Sequence, residues 1–217
     1  MSTKKKFAVV LAGCGVYDGA EIHEAVLTLL AIARNGAEYM IYAPDIQQHH
    51  VINHITGAEM KETRNVLIES ARIARGNIKP LSELAMKNFD ALVFPGGFGV
   101  AKNLCSFAIK GTDFSINPQV ENVIKSARQH GKPMGFLCIS PVMIPRILGD
   151  VEVTIGSDPG TAKAIETLGG KHKNTTHGEI VIDKKNKIVT TPCYMLDATI
   201  DQIADGAENL VKAVLQM

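Results

Sequence analysis

Short apolar runs alternate along the chain with longer stretches of helical period. Strand-like runs are Phe7–Ala12, Glu38–Ala43, Ala91–Phe94, Pro133–Cys138, Val151–Ile155, Glu179–Ile182 and Ile188–Thr191. Helical patterns fill Ala20–Asn35, Thr63–Ala74, Pro118–His130, Thr161–Leu168 and Ile200–Leu215. Gly36 and Gly131 each close a helix just ahead of the next strand, as C-cap glycines do. This alternation predicts an α/β fold with a mostly parallel sheet and helices on both faces. Asp183-Lys184-Lys185-Asn186-Lys187 reads as a turn between two antiparallel strands. No repeat, low-complexity tract or linker interrupts the pattern, so residues 1–217 read as one domain.

Two details refine that outline. About residues 44–88, the chain is too long for a simple connection and reads as an insertion. It holds a loop, Asp45 to Glu62, and the helix Thr63–Ala74; such an excursion serves as a lid, a pocket wall or an oligomer contact. On the first helix, Ile22, Val26, Leu29, Leu30 and Ala33 form the expected core-facing stripe. Glu24 falls away from it, near Leu27 and Ala31, which points to a cover over Glu24 from the insertion or another subunit.

Composition narrows the function classes. The chain is 46% apolar and 21% charged, typical of a globular protein, and 217 residues can bury a substantial core. A net charge of +1 without a basic stripe leaves no footprint for nucleic acid. Lys4-Lys5-Lys6 runs straight into a strand, no segment has the shape of a signal peptide, and no apolar run approaches the roughly 18 residues of a membrane span. Cys14, Cys105, Cys138 and Cys193 are scattered without metal-ligand spacing. Reduced thiols and a cytoplasmic location are the expectation.

Candidate chemistry centres on Cys138. It ends the run Lys132–Cys138 and opens a helical segment, Ile139–Leu148. A sharp strand-to-helix turn holds its side chain at the carboxyl edge of the sheet, where ligands of open α/β sheets bind. Unpaired helix N–H groups there favour the thiolate, the nucleophilic form. Alone, such a cysteine is more often a small buried apolar residue. Pro141 suits the first helical turn, but Pro145 disturbs the next, so the first N–H groups matter more than an extended dipole.

Two further segments change the balance. Phe94-Pro95-Gly96-Gly97-Phe98-Gly99 follows a strand, and its glycines let backbone N–H groups approach a ligand. The N–H groups of Gly97 and Ile139 are then candidate oxyanion donors. The first βα turn, Gly13-Cys14-Gly15-Val16-Tyr17-Asp18-Gly19, leads into a helix bearing Glu21 and Glu24. These acids stabilise a helix N-terminus by well under ~1 kcal/mol, and either, if covered, would hold a proton near neutrality.

With Glu21-Ile22-His23-Glu24, Thr63-Arg64-Asn65-Val66-Leu67-Ile68-Glu69, Pro95–Gly99 with Ala101-Lys102-Asn103-Leu104, Gly135-Phe136-Leu137-Cys138-Ile139 and Ile188–Pro192, these segments resemble the ElbB family. Its members, the enhancing lycopene biosynthesis or sigma cross-reacting proteins, are a branch of the ThiJ/PfpI superfamily. The resemblance runs over nearly the whole chain. It implies a three-layer sandwich of the flavodoxin-like, class I glutamine amidotransferase-like kind. It also implies Cys138 as nucleophile and Glu24 as its acidic partner, with Glu21 one turn away as the fallback. Gly97 and Ile139 become the backbone donors. No cofactor and no metal are implied, and a homodimer acting on a small dicarbonyl is. The branch is described as a weak glyoxalase, in part reflecting protein deglycase activity.

Departures from neighbouring families sharpen the expectation. Ile139 stands where protease-like relatives carry a histidine, which argues against peptidase activity. His177-Gly178-Glu179 imitates the His-x-Glu pair of amidotransferases but leads into a strand. His49, His50 and His54 lack a Cys or acid at ligand spacing and read as a solvated loop. Cys14, Cys105 and Cys193 read as packing residues. The expected reaction is glyoxal to glycolate through a hemithioacetal on Cys138. The alternative is a non-enzymatic redox-sensing or regulatory protein with an oxidisable cysteine, linked to isoprenoid biosynthesis.

Overall fold

The computed structural model describes residues 4–217. Its strands are β1 (Lys6–Val10), β2 (Glu38–Ala43), β3 (Val51–Ile52), β4 (Glu59–Met60), β5 (Ile78–Pro80), β6 (Ala91–Phe94), β7 (Met134–Leu137), β8 (Glu152–Val153), β9 (Lys171–His172), β10 (Val181–Asp183) and β11 (Ile188–Thr191). Its helices are α1 (Ile22–Arg34), α2 (Val66–Ile73), α3 (Phe107–Lys110), α4 (Pro118–Gln129), α5 (Met143–Leu148), α6 (Pro159–Thr167) and α7 (Ile200–Leu215). Seven strands form the central sheet in the order β10-β11-β7-β6-β1-β2-β5. Every pairing in it is parallel except β10 with β11, which the Asp183–Lys187 turn joins.

Alternating side chains divide the core into two layers, because successive strand residues point to opposite faces. Phe7, Val9, Val93 and Val189 pack under α1 and α7 together with Ile32, Ile203, Leu210 and Val214. Ala8, Val10, Leu92, Phe94 and Phe136 face the other way, onto Val120 and Ile124 of α4, Met143 and Ile144 of α5 and Ile165 of α6. Helices on both faces of a mostly parallel sheet are therefore established. Gly36 and Gly131 take positive φ at 74° and 62°, as helix-closing residues.

Three expectations need correcting. The segment at 44–88 is not wholly an excursion: β5 pairs in parallel with β2, so Ile78–Pro80 extends the sheet. Its polar, proline-ended sequence hid an edge strand that needs only one ladder of hydrogen bonds. The remainder includes α2 and the β3–β4 hairpin, which packs over the first βα turn through Ile52 N–H to Asp18 Oδ2 at 2.7 Å. Val151–Ile155 shortens to β8, which pairs with β9 in a separate two-stranded sheet. On α1 the stripes are exchanged: Ile22, Val26 and Leu30 are 42%, 46% and 40% exposed, and Ala33 is exposed as well. Of the stripe assigned to the core, only Leu29 is buried there, alongside Glu24, Ala25, Thr28, Ala31 and Ile32. Apolarity alone named the wrong face, because the inward face carries small residues that let α1 approach the sheet and α7.

Candidate functional site

β1 sits at the point where the chain turns from one half of the sheet to the other: β2 lies on one side and β6 on the other. In doubly wound sheets the crevice beyond the strand ends at such a point holds the ligand. The turns after β1 and β6 meet there, through Phe98 N–H to Val16 O at 2.8 Å and Gly99 N–H to Gly19 O at 2.9 Å. After Gly99 the chain makes a π-helical turn, Val100–Leu104, a geometry associated with functional sites.

Cys138 follows β7 with φ of +59°, a left-handed conformation that costs a non-glycine residue about 1 kcal/mol or more. The surroundings hold it there. Its N–H donates to Thr191 O at 2.9 Å. Ser140, fully buried, places its hydroxyl 2.8 Å from Leu137 O and 3.0 Å from Phe94 O, bracing the ends of β6 and β7. Beneath lie the rings of Phe94 and Phe136, stacked at 5.2 Å between centroids. After Cys138 comes only a 3₁₀ turn, Ser140–Val142, before α5, so no long helix starts at the sulfur; the break falls at Pro141, while Pro145, expected to cause it, lies within α5.

Glu24 is completely buried in the first turn of α1. Its Oε2 accepts from Gly96 N–H at 2.9 Å and its Oε1 from Tyr194 N–H at 3.2 Å. The same carboxyl lies beside the Cys138 side chain: Glu24 Oε2 and Cys138 Sγ stand 2.6 Å and 2.9 Å from the point that a Cβ on Gly96 would occupy. Gly96 makes this meeting possible: a Cβ there would collide with Cys138 Cβ and lie 2.6 Å from Glu24 Oε2. Gly97, at φ of +99°, presses against the Gly19–Glu21 backbone just as closely. Glu21 has a different place: it caps α1, its Oε2 accepting the Glu24 N–H at 2.7 Å. The cover over Glu24 is thus the Gly96 loop and the Tyr194 turn of its own chain.

Electrostatics follow from this burial. Removal from water, then the neighbouring Glu21 carboxylate, push Glu24 up to about 8, against the Tyr194 and Gly96 N–H groups. Burial and the Glu24 carboxyl also push the Cys138 thiol well above its ordinary range, while the N–H groups of Gly97 and Ile139 pull it down. The expected ready thiolate is therefore corrected. At neutral pH the pair holds both protons in most molecules, and the form that has lost one is the minor one. Once Glu24 keeps that remaining proton, it no longer repels a sulfur anion and can donate to it.

The four positions named from the sequence, Cys138, Glu24, Gly97 and Ile139, come together here. Tyr194, Ser140 and Gly96 were missed. Tyr194 lies 170 residues from Glu24 and contributes a backbone N–H, which no side-chain pattern can signal. Its hydroxyl meets His23 Nδ1 at 2.9 Å. Over the sulfur opens a cavity of about 400 Å³, walled by Val16, Phe98, Phe107, Ile139, Tyr194 and Met195.

Other candidates lie apart. His177 Nε2 bonds Asp197 O, Glu179 accepts from Thr176 N–H, and neither lines the cavity. His50 faces Lys102 Nζ at 3.4 Å and His54 accepts from Tyr17 N–H at 3.2 Å, so these rings brace the loop over the first turn. Cys105 is pushed up to about 12 by burial and bonds Val100 O. Cys193 is buried near Glu24 and Cys138, and burial holds its thiol well above the ordinary range. Among the described residues, no group of three metal-ligating side chains occurs and no helix is long and apolar enough to cross a membrane.

The crystal structure of an isoprenoid biosynthesis protein with an amidotransferase-like domain from Ehrlichia chaffeensis matches with a TM-score of 0.91 and 34% identity, over 98% of each chain. Drosophila melanogaster DJ-1beta matches at a TM-score of 0.57 over 99% of this chain and 95% of its own, a likeness of fold alone at 16% identity. The fold is that of an amidotransferase-like α/β domain, and it is shared with a ThiJ/PfpI domain protein from Brachyspira murdochii at a TM-score of 0.60 and 16% identity, a likeness of fold alone. Human glutamine amidotransferase-like class 1 domain-containing protein 3, mitochondrial, is 49% identical over 222 residues, covering 98% of this chain and 83% of the relative. The ES1 protein, mitochondrial, of Danio rerio is 37% identical over 229 residues, covering 97% and 85%. No protein-family model matches the chain. The chain belongs to the glutamine amidotransferase-like class 1 domain proteins that include ES1.

Proposed function

We propose that this protein is a cofactor-independent glyoxalase of the ElbB branch, converting glyoxal to glycolate. The observation that carries the reading is the Cys138 thiol set against the buried Glu24 carboxyl, with the sulfur in the wall of an open cavity. Glu24 accepts the thiol proton as the sulfur adds to one aldehyde carbon, giving a hemithioacetal whose oxygen lies at Gly97 and Ile139 N–H. The carboxyl then moves a proton from that carbon to its neighbour, acting as base and then acid. The resulting thioester takes up one water to release glycolate and the free thiol. Overall the reaction is redox-neutral, and every proton removed is returned. The low population of the singly deprotonated pair at neutral pH accounts for a weak activity. Removal of sugar-type adducts from protein side chains uses the same addition and proton shift, which supports deglycase activity as a second expression of the site.

Cys138→Ser tests the reading directly: glyoxal turnover should vanish, and full activity in that variant overturns it. The redox alternative draws on the same contacts, since a protonated Glu24 would donate to a sulfinate on Cys138. Intact mass after mild peroxide separates the two: oxidation at Cys138 without turnover favours a sensor. Similarity to the Ehrlichia isoprenoid biosynthesis protein supports a link to that metabolism under either reading. A homodimer has its candidate face in Ile22, Val26 and Leu30. Four free thiols suit a reducing compartment, but the relatives named mitochondrial do not support cytoplasm over the mitochondrial interior.

A further inference from the structure

Resting on the glyoxalase reading, the cavity poses a question about substrate. Glyoxal is two carbons carrying two oxygens and would fill little of about 400 Å³, a volume within the ~300–1,000 Å³ of sites for much larger ligands. The walls are apolar and unusually exposed for their kind: Phe98 is 48% exposed and Phe107 and Met195 are half-buried. Side chains of this sort around a nucleophile are an apolar surface awaiting a partner. Local structure holds them in place. Phe107 packs edge-on against buried Phe114, with 5.5 Å between centroids, and Phe98 lies beneath the Lys102 ammonium, 5.0 Å from its ring centre.

Charge is equally selective. No lysine or arginine lines the cavity. Lys102, whose ammonium lies over the Phe98 ring, is tied to Tyr17 O at 2.7 Å and is not part of the wall. The charge at the rim is Asp158, whose carboxyl is held below the ordinary range by its bonds to Thr161. It disfavours anionic substrates, whose carboxylate or phosphate would find no cationic partner in the wall.

We propose that the site selects an uncharged 2-oxoaldehyde bearing an apolar, ring-sized substituent, which Phe98, Phe107, Ile139 and Met195 enclose while the aldehyde carbon meets Cys138. For phenylglyoxal the thiol adds across the aldehyde, the proton on that carbon moves to the former ketone carbon, and one water hydrolyses the thioester to mandelate and free thiol. Apolar complementarity of this size should raise kcat/KM at least 10-fold over glyoxal, since one methylene in such a pocket is worth roughly 10-fold or more.

The experiment has two arms. Turnover of phenylglyoxal and glyoxal is followed by mandelate and glycolate formation. Separately, the rates at which N-benzyl-iodoacetamide and iodoacetamide alkylate Cys138, each referred to free cysteine, read recognition without catalysis; peptide mapping isolates Cys138 from Cys14. Expected is a preference of 10-fold or more for the aryl compound in both arms, with Phe107→Ala and Met195→Ala each lowering both ratios. Equal or better use of glyoxal, or equal alkylation rates, overturns the inference even where Cys138-dependent turnover leaves the glyoxalase reading standing. An aryl preference in alkylation with no turnover of either aldehyde overturns the glyoxalase reading and upholds apolar recognition.

Discussion

Replacing Glu24 with glutamine should change the pH dependence of stability more than stability itself. In the folded protein this carboxyl titrates at about 8, against 4.5 for the ordinary group. Between those values the folded state holds a proton that the unfolded chain has released. Stability therefore falls as pH rises, tenfold in the folded-to-unfolded ratio per pH unit. The contribution is fully present below about pH 4.5 and is lost as pH passes about 8, of the order of 5 kcal/mol in all. Glutamine removes that slope at a cost. Gly96 and Tyr194 donate to different oxygens of Glu24, and an amide offers one acceptor where a carboxyl offers two. One buried N–H is left unpaired, costing about 1–3 kcal/mol. The variant should accordingly be less stable than wild type near pH 5 and more stable above pH 8. Urea titrations at pH 5, 6.5 and 8.5 followed by circular dichroism measure the difference, in which all other groups cancel. Parallel stability curves for the two proteins over that range would refute a buried, protonated Glu24.

Other consequences are open to direct measurement. Glyoxal kcat/KM should rise nearly tenfold per pH unit up to about 8 and then level off, because the form of the Cys138–Glu24 pair that has lost one proton is the reactive one; a flat profile from pH 6 to 8 contradicts this. Glu21→Gln keeps an oxygen to cap α1 and should lower activity much less than Glu24→Gln; the reverse order would exchange their roles. Gly96→Ala should abolish turnover and lower Tm, since the added methyl cannot share space with Cys138 and Glu24; a fully active variant would show that this contact is not needed. Thr28 is fully buried in α1 with an unpartnered hydroxyl, so Thr28→Val should stabilise by about 1 kcal/mol. A loss of stability there would reveal a partner for that oxygen.

Much of the scaffold was legible because local rules and the fold agree. Glu38–Ala43, Ala91–Phe94, Ile188–Thr191 and Ile200–Leu215 have the same bounds in sequence pattern and structure. The elbow at Cys138 was readable from an apolar run ending against a proline-bearing helix start. β5 was not, because an edge strand with alternate partial exposure needs little apolar patterning. The faces of α1 were exchanged, since periodicity identifies stripes but not which of them meets the sheet.

What the sequence determined by itself was the alternation of elements, the glycine loops and the few side chains able to do chemistry. Those are properties of neighbouring residues, set by backbone geometry and side-chain type. Tertiary structure alone decided the protonation of Glu24 and Cys138, and that Glu24 lies beside the sulfur while Glu21 caps α1. It also brought the Tyr194 N–H and the apolar cavity to the sulfur. Each depends on groups far apart in the chain being removed from water together, and desolvation is a property of the assembled site.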